Sequence, residues 1–197
     1  MVADGAKHAG ICFWKRLLSS QGDIAKGERN GCPCGHFGDP LRACRCEPAL
    51  VERYRARVSG PLLDRIDIHL PIPAVPAGDL SGNGAPGEKS AAIRARVEAA
   101  RGLQRERFVA QPGIHSNAHM TPREVRRYCL LAQPAETLLR QAIAKLGLSA
   151  RAYSRVLKVA RTIADLAGVP EITPVHVSEA IQYRVLDRAR LPPVIRA

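Results

Sequence analysis

The sequence predicts a mostly α fold: a short α/β piece carrying a cysteine-rich loop, followed by an all-helical domain. Three observations predict it. From residue 88 onward, apolar residues recur at helical spacing, with Pro, Ser, Thr and Gly at the segment ends. Between Ile66 and Ile72 the hydrophobic period falls to two, the signature of a strand. Between Asn30 and Cys46 four cysteines sit among Gly and Pro with no period at all.

Residues 1–29 mix Gly, Ser, Lys and Asp without sustained periodicity. They read as a disordered leader, with at most a turn of helix over Phe13-Trp14-Lys15-Arg16-Leu17-Leu18. Next come Cys32-Pro33-Cys34 and Cys44-Arg45-Cys46, two C-x-C pairs with nine residues between them. Such pairs can fold onto one tetrahedral ion, and zinc favours four thiolates in a closed structural site. Free thiols and disulfides are the alternatives, the latter disfavoured in a cytoplasmic chain. His36 can replace one ligand, and Gly35 and Gly38 permit the tight turns such a loop needs. Cys12 and Cys129 stand apart from the four.

Glu47-Pro48 opens a helix, because proline fits the first helical position. Val51, Tyr54 and Val58 share one side of it, while Arg53, Arg55 and Arg57 spread over the rest. Ser59-Gly60-Pro61 punctuates its end, and Leu62 and Leu63 bury a further turn of helix. In the strand that follows, Ile66, Ile68, Leu70 and Ile72 face one way and Asp67, His69 and Pro71 the other. Pro71 and Pro73 suit a strand end or edge. Arg65 falls at the helix-to-strand corner between Asp64 and Asp67. A guanidinium there either reaches outward or is clipped to its neighbouring carboxylates. The Gly-, Pro-, Ala- and Ser-rich stretch that follows contains a linker over residues 77–87.

Residues 88–108 form a helix with Ile93, Val97 and Ala100 inward and Arg94, Arg101 and Arg105 outward. Residues 109–121 are a polar loop in which His115 and His119, four apart as metal ligands can be, read as ordinary loop histidines in preference to ligands, since the segment lacks helical period. Thr121-Pro122-Arg123-Glu124 has the form of a capping box. Pro134 opens another helix, which ends near Gly147. Ser149 starts the most strongly amphipathic helix. Tyr153, Val156, Leu157, Ala160, Ile163, Ala164 and Ala167 share its apolar face; Arg151, Arg155, Lys158, Thr162 and Asp165 lie opposite. Gly168 ends it, and Thr173-Pro174 starts a last helix with Val177, Ala180, Ile181 and Val185. Residues 191–197 are a tail.

The 197 residues, 46% of them hydrophobic, suit one domain or one and a half with a real core. No apolar run approaches the ~18 residues of a membrane span. Lys15 and Arg16 follow the apolar run Ile11 to Trp14, the wrong order for a secretory signal, so the chain reads as cytoplasmic. The formal charge is +12, and 24 of the 30 basic residues are Arg. That balance favours a polyanionic partner, nucleic acid (DNA) first, with a compositional bias toward Arg and Ala as the alternative. At 4% aromatics, phosphate contact rather than base stacking would dominate.

Three stretches resemble the magnesium-chelatase-like branch of the AAA+ ATPases, the ComM/YifB family. They are Asn30-Gly31-Cys32-Pro33-Cys34-Gly35, Ser59-Gly60-Pro61-Leu62-Leu63-Asp64-Arg65-Ile66-Asp67, and Leu148-Ser149-Ala150-Arg151-Ala152-Tyr153 continuing through Arg161-Thr162-Ile163-Ala164-Asp165-Leu166. The likeness covers roughly residues 30 to 190, in the family's order. It implies that residues 30–76 are the remnant of an AAA+ core with the cysteine loop, and that 88–190 are the family's all-helical lid. It also implies that Arg65 is an arginine finger acting in trans on a neighbouring subunit's nucleotide. Arg151, in a helix's first turn, takes the sensor-2 role toward the γ-phosphate, and Asn30 the sensor-1 role. ATP and Mg2+ are the implied ligands of the full-length family, a homo-oligomeric ring its assembly, and DNA its substrate. The sequence departs from the family in having no phosphate loop, G-x-x-x-x-G-K-[ST], and no apolar strand ending in paired acids. No ATPase activity is expected of this chain by itself. The rival reading is a small basic zinc-containing DNA-binding protein, with residues 149–167 as a recognition helix in a major groove.

Overall fold

The computed structural model describes residues 10–16, 25–39, 42–58, 65–72 and 87–184. By its internal contacts the chain divides into two units, residues 1–62 with 69–86 and residues 63–68 with 87–197.

In the first unit, β1 (Gly10–Arg16), β2 (Ala25–Asn30) and β3 (Pro71–Ile72) form an antiparallel sheet in the order β2-β1-β3. Gly10 pairs with Asn30 on one side and Ile72 on the other. This corrects two expectations. The disordered leader contains strands, and residues 13–16 of its expected helical turn lie in β1 (Leu17 and Leu18 lie outside the described residues). Ile11, Phe13 and Trp14 are good strand formers. The poor strand formers of β2, Lys26-Gly27-Glu28-Arg29, are recruited by pairing with β1 through a bulge between Ile11 and Trp14. Asn30 therefore ends a strand.

Helix α1 (Pro48–Ala56) starts at the predicted proline and buries Val51. The strand expected from Ile66 is shorter than its period suggested, since only Pro71 and Ile72 enter the ladder. Its inward face is also reversed: Ile68 and Leu70 are each 47% exposed, and His69 is buried. Residues 66 and 67 are held instead by polar contacts from Arg184 and Arg155, which hydrophobic alternation does not encode. The helical turn at Leu62 and Leu63 lies outside the described residues.

The second unit is helical: α2 (Ser90–Phe108), a 3₁₀ turn (Asn117–His119), α3 (Pro122–Tyr128), α4 (Gln133–Leu146), α5 (Ala150–Leu166) and α6 (Pro174–Gln182). Local signals set their ends. Thr121 and Glu124 make the predicted capping box at α3. Gly147, with φ 59°, closes α4, as a left-handed residue after a helix does. Ser149 caps α5 by accepting from the Ala152 N–H at 3.1 Å. The core joins Phe108, Leu139, Val156, Ala160, Ala164, Val177 and Ala180, so α5 is the central helix. A parallel bridge, Leu131 to Ile172, ties the segment before α4 to the one before α6.

Two apolar stripes differ from expectation. On α2 only the C-terminal half packs, through Ala100, Gln104 and Phe108, while Ile93 and Val97 are exposed. On α5 Tyr153 is exposed, and Asp165, expected on the outer face, is buried together with Arg161. Val185, expected in the last helix, lies outside the described residues.

Candidate functional site

The cysteine loop builds the first site. Gly35 and Gly38 adopt φ 82° and 78°, conformations that a Cβ would strain. They turn the chain so that all four sulfurs of Cys32, Cys34, Cys44 and Cys46 lie within 4.8 Å of one another. The Cys32–Cys34 separation is 3.2 Å, and Cys34–Cys44 and Cys32–Cys44 are 3.6 Å. Thiolates bound to one tetrahedral zinc stand about 3.8 Å apart, from a Zn–S length of ~2.3 Å. A disulfide needs ~2.05 Å, and all four are free thiols. The His36 backbone N–H pulls the Cys34 thiol down to about 6, helped by the Cys32 sulfur. The Cys46 N–H likewise aims at Cys44, but burial and the neighbouring sulfurs outweigh it and push that thiol up to about 12. Four crowded sulfurs with backbone donors beside them are a donor set that a soft dication completes. His36 is not part of the group: its Nδ1 lies 3.5 Å from Asp39. Helix α1 supports the loop, with Arg55 donating to the Gly31 carbonyl at 3.3 Å and stacking 4.2 Å over Phe37.

The second site lies in the helical unit. Arg65 is exposed in a turn whose described residues group with the helices. Among the described residues Arg65 has no ion pair; of its two expected clips, Asp67 is paired with Arg155 of α5 and Asp64 lies outside the described residues. The Ile66 carbonyl accepts from Arg184, which is 0% exposed. Arg151 is exposed in the first turn of α5, one turn from Arg155 on the same face. Farther along α5, Lys158 donates to the Ala118 carbonyl at 2.9 Å. The basic stripe read from the sequence is thus largely engaged within the chain, with Arg151 the member turned to solvent. Of Asn30 the structure gives only the backbone position at the end of β2. His115 and His119 lie edge to face, 6.2 Å between ring centres, and no described Cys, Asp or Glu joins them in a metal-binding group.

Sequence reasoning missed the roles of Asp67, Arg155 and Arg184, whose contacts span 88 and 118 residues. It also missed Asp165, buried where Arg107, Asn117 and Arg161 converge. The one local signal was the spacing of Arg161 and Asp165, four apart on one helix.

Residues 87–184 match the profile of "Magnesium chelatase, subunit ChlI C-terminal", and residues 27–80 that of "Magnesium chelatase, subunit ChlI". The chain belongs to this magnesium-chelatase-like family. Among curated relatives, the competence protein ComM of Haemophilus influenzae is 41% identical over 159 residues, 81% of this chain and 30% of that protein. YifB of Escherichia coli is 43% identical over the same shares, and YifB of Salmonella typhimurium 42%. The chain thus spans about 30% of the length of the curated relatives it matches. No described helix is long and apolar enough to cross a membrane.

Proposed function

We propose that this chain supplies the carboxy-terminal portion of a magnesium-chelatase-like AAA+ ATPase, a DNA-directed motor of helicase or branch-migration type in its full form. The observation that carries this is the placement of Arg65. It stands exposed in a turn while Asp67, one of the two neighbouring carboxylates that could clip it, is occupied by Arg155. In the proposed homo-oligomeric ring Arg65 reaches the neighbouring subunit's nucleotide as a finger, and Arg151 contacts the γ-phosphate from the lid. Asn30, at the end of β2, takes the sensor-1 position. ATP with Mg2+ supplies the phosphoryl group; this chain's residues neutralise charge that develops on it. The charge of +12 supports a polyanionic substrate, DNA. The engagement of Arg155 and Lys158 within the chain argues against α5 as a groove-reading helix.

Subunit mixing in a complete relative tests the shared site. Subunits with Arg65→Ala at the matching position are mixed with subunits whose phosphate-loop Lys is replaced, each inactive alone. Activity returns where an intact loop meets an intact finger. If mixed rings demonstrably form and no ratio restores turnover, the proposal fails. This chain alone, without the amide cradle of a phosphate loop, does not bind ATP at micromolar affinity; calorimetry checks this.

The four cysteines hold one structural zinc per chain in this reading, fixing the loop that begins after Asn30. Elemental analysis after purification without added zinc reads one equivalent bound. Four freely titratable thiols with no metal would refute it.

A further inference from the structure

The Arg65 turn lies between residues of the cysteine-bearing unit in sequence, yet its described residues 65–68 group with the helices. Two contacts explain this. Arg155 of α5 pairs with Asp67, two residues after Arg65, and the buried Arg184 at the end of the helical unit donates to the Ile66 carbonyl. One contact holds the Asp67 side chain and the other the Ile66 backbone, so the turn is held at two successive residues. The pair is half-exposed, which makes it weak as a source of stability. A contact of little stabilising value that ties down the residues next to an exposed Arg65 is better suited to positioning. Arg155 is also the residue one turn from Arg151 on the same face of α5.

We infer that Arg155 and Asp67 are positioning residues for Arg65, and that they tie its placement to the helix that carries Arg151. This rests on the reading of Arg65 as a finger. The consequence is mechanical. A movement of α5 that follows nucleotide contact at Arg151 carries the Asp67 turn with it. The finger offered to the next subunit is thereby set by the lid of its own subunit.

Charge reversal tests this in two settings. In this chain, hydrogen exchange is followed at the amides of residues 65–68. Asp67→Arg or Arg155→Asp alone speeds their exchange by roughly tenfold or more, and the swapped double variant restores protection. The midpoint of helical unfolding moves by no more than a few degrees, since the pair is partly exposed. In a complete relative, the same single changes at matching positions lower turnover on the order of 10- to 100-fold, the scale of an ångström's misplacement of a catalytic group. Nucleotide affinity is nearly unchanged, and the swap recovers much of the rate. Unaltered exchange in both single variants overturns the inference, whatever Arg65 does. Altered exchange with unaltered turnover overturns it too, leaving the pair a brace. Failure of the finger reading is seen separately, as full turnover in Arg65→Ala.

Discussion

Asp165→Ala lowers the stability of the helical unit by about 3–5 kcal/mol, the range for removing one partner of a buried ion pair. The carboxylate is 2% exposed and carries four hydrogen bonds. Arg107 grips it with both terminal nitrogens, at 2.7 and 2.5 Å; Asn117 donates at 2.7 Å and Arg161 at 3.0 Å. Arg161 in turn donates to the carbonyls of Val169 and Pro170 just past α5, at 2.7 and 2.5 Å, partly balancing the second positive charge. Removing the carboxylate leaves two guanidinium groups facing each other in the interior. Urea unfolding followed by circular dichroism reads the loss; for a unit of this size the midpoint temperature falls by more than about 10 °C. Asp165→Asn keeps the volume and isolates the charge. Burial raises the Asp165 pKa, but the Arg107 and Asn117 hydrogen bonds and the nearby guanidinium charges outweigh it and hold it below the usual carboxylate range. A carboxyl depressed by folding stabilises above its unfolded pKa of ~3.9 and loses that contribution as pH falls through the folded value. The gap between native chain and Asp165→Asn is therefore constant from about pH 5 to 8 and narrows below about pH 4. A loss under about 1 kcal/mol would mean the pair does little more than an exposed one.

What the sequence made legible followed from local chemistry. Capping residues at Thr121 and Ser149, proline at helix starts, and Gly147 at a helix end act within one turn, so they locate α3 to α5 from spacing alone. The cysteine cluster was legible for the same reason: two C-x-C pairs in a glycine-bearing loop have few ways to fold except onto each other. Most of the misreadings involve distant partners. Strand β2 exists through pairing with β1, against its own propensity. Ile68 and Leu70 look like core by period, but the backbone beside them is fixed by Arg184, 118 residues away from the Ile66 carbonyl it meets. Asp165 reads as a solvated charge until α2 delivers Arg107 across 58 residues of sequence. Ile93 and Val97 are exposed although their spacing points inward, because period marks a face without saying how far along the helix that face is covered.

Arg65→Ala, made at the matching position of a complete relative, leaves nucleotide affinity nearly unchanged and lowers turnover on the order of 10³-fold or more. That loss corresponds to ~4 kcal/mol of transition-state stabilisation. The asymmetry follows from where the charge acts. A finger from the neighbouring subunit meets negative charge that grows as the phosphoryl group transfers, so its removal is felt in kcat rather than in ground-state binding. Arg151 differs. It stands in the first turn of α5, where backbone amides and the helix dipole already favour an anion. In the lid role it touches the γ-phosphate before reaction, so Arg151→Ala weakens nucleotide affinity as well as turnover. Measured together, the two variants separate the roles: one splits kcat from binding, the other moves both. Arg65→Lys sharpens the comparison, because a lysine keeps the charge but loses the planar fork that grips two phosphate oxygens, and its turnover stays well below wild type. Turnover within about threefold of wild type in Arg65→Ala would remove the finger assignment. The exposed turn held by Arg155 and Arg184 would then be a structural corner, and the proposed shared site would have to draw its charge from another residue.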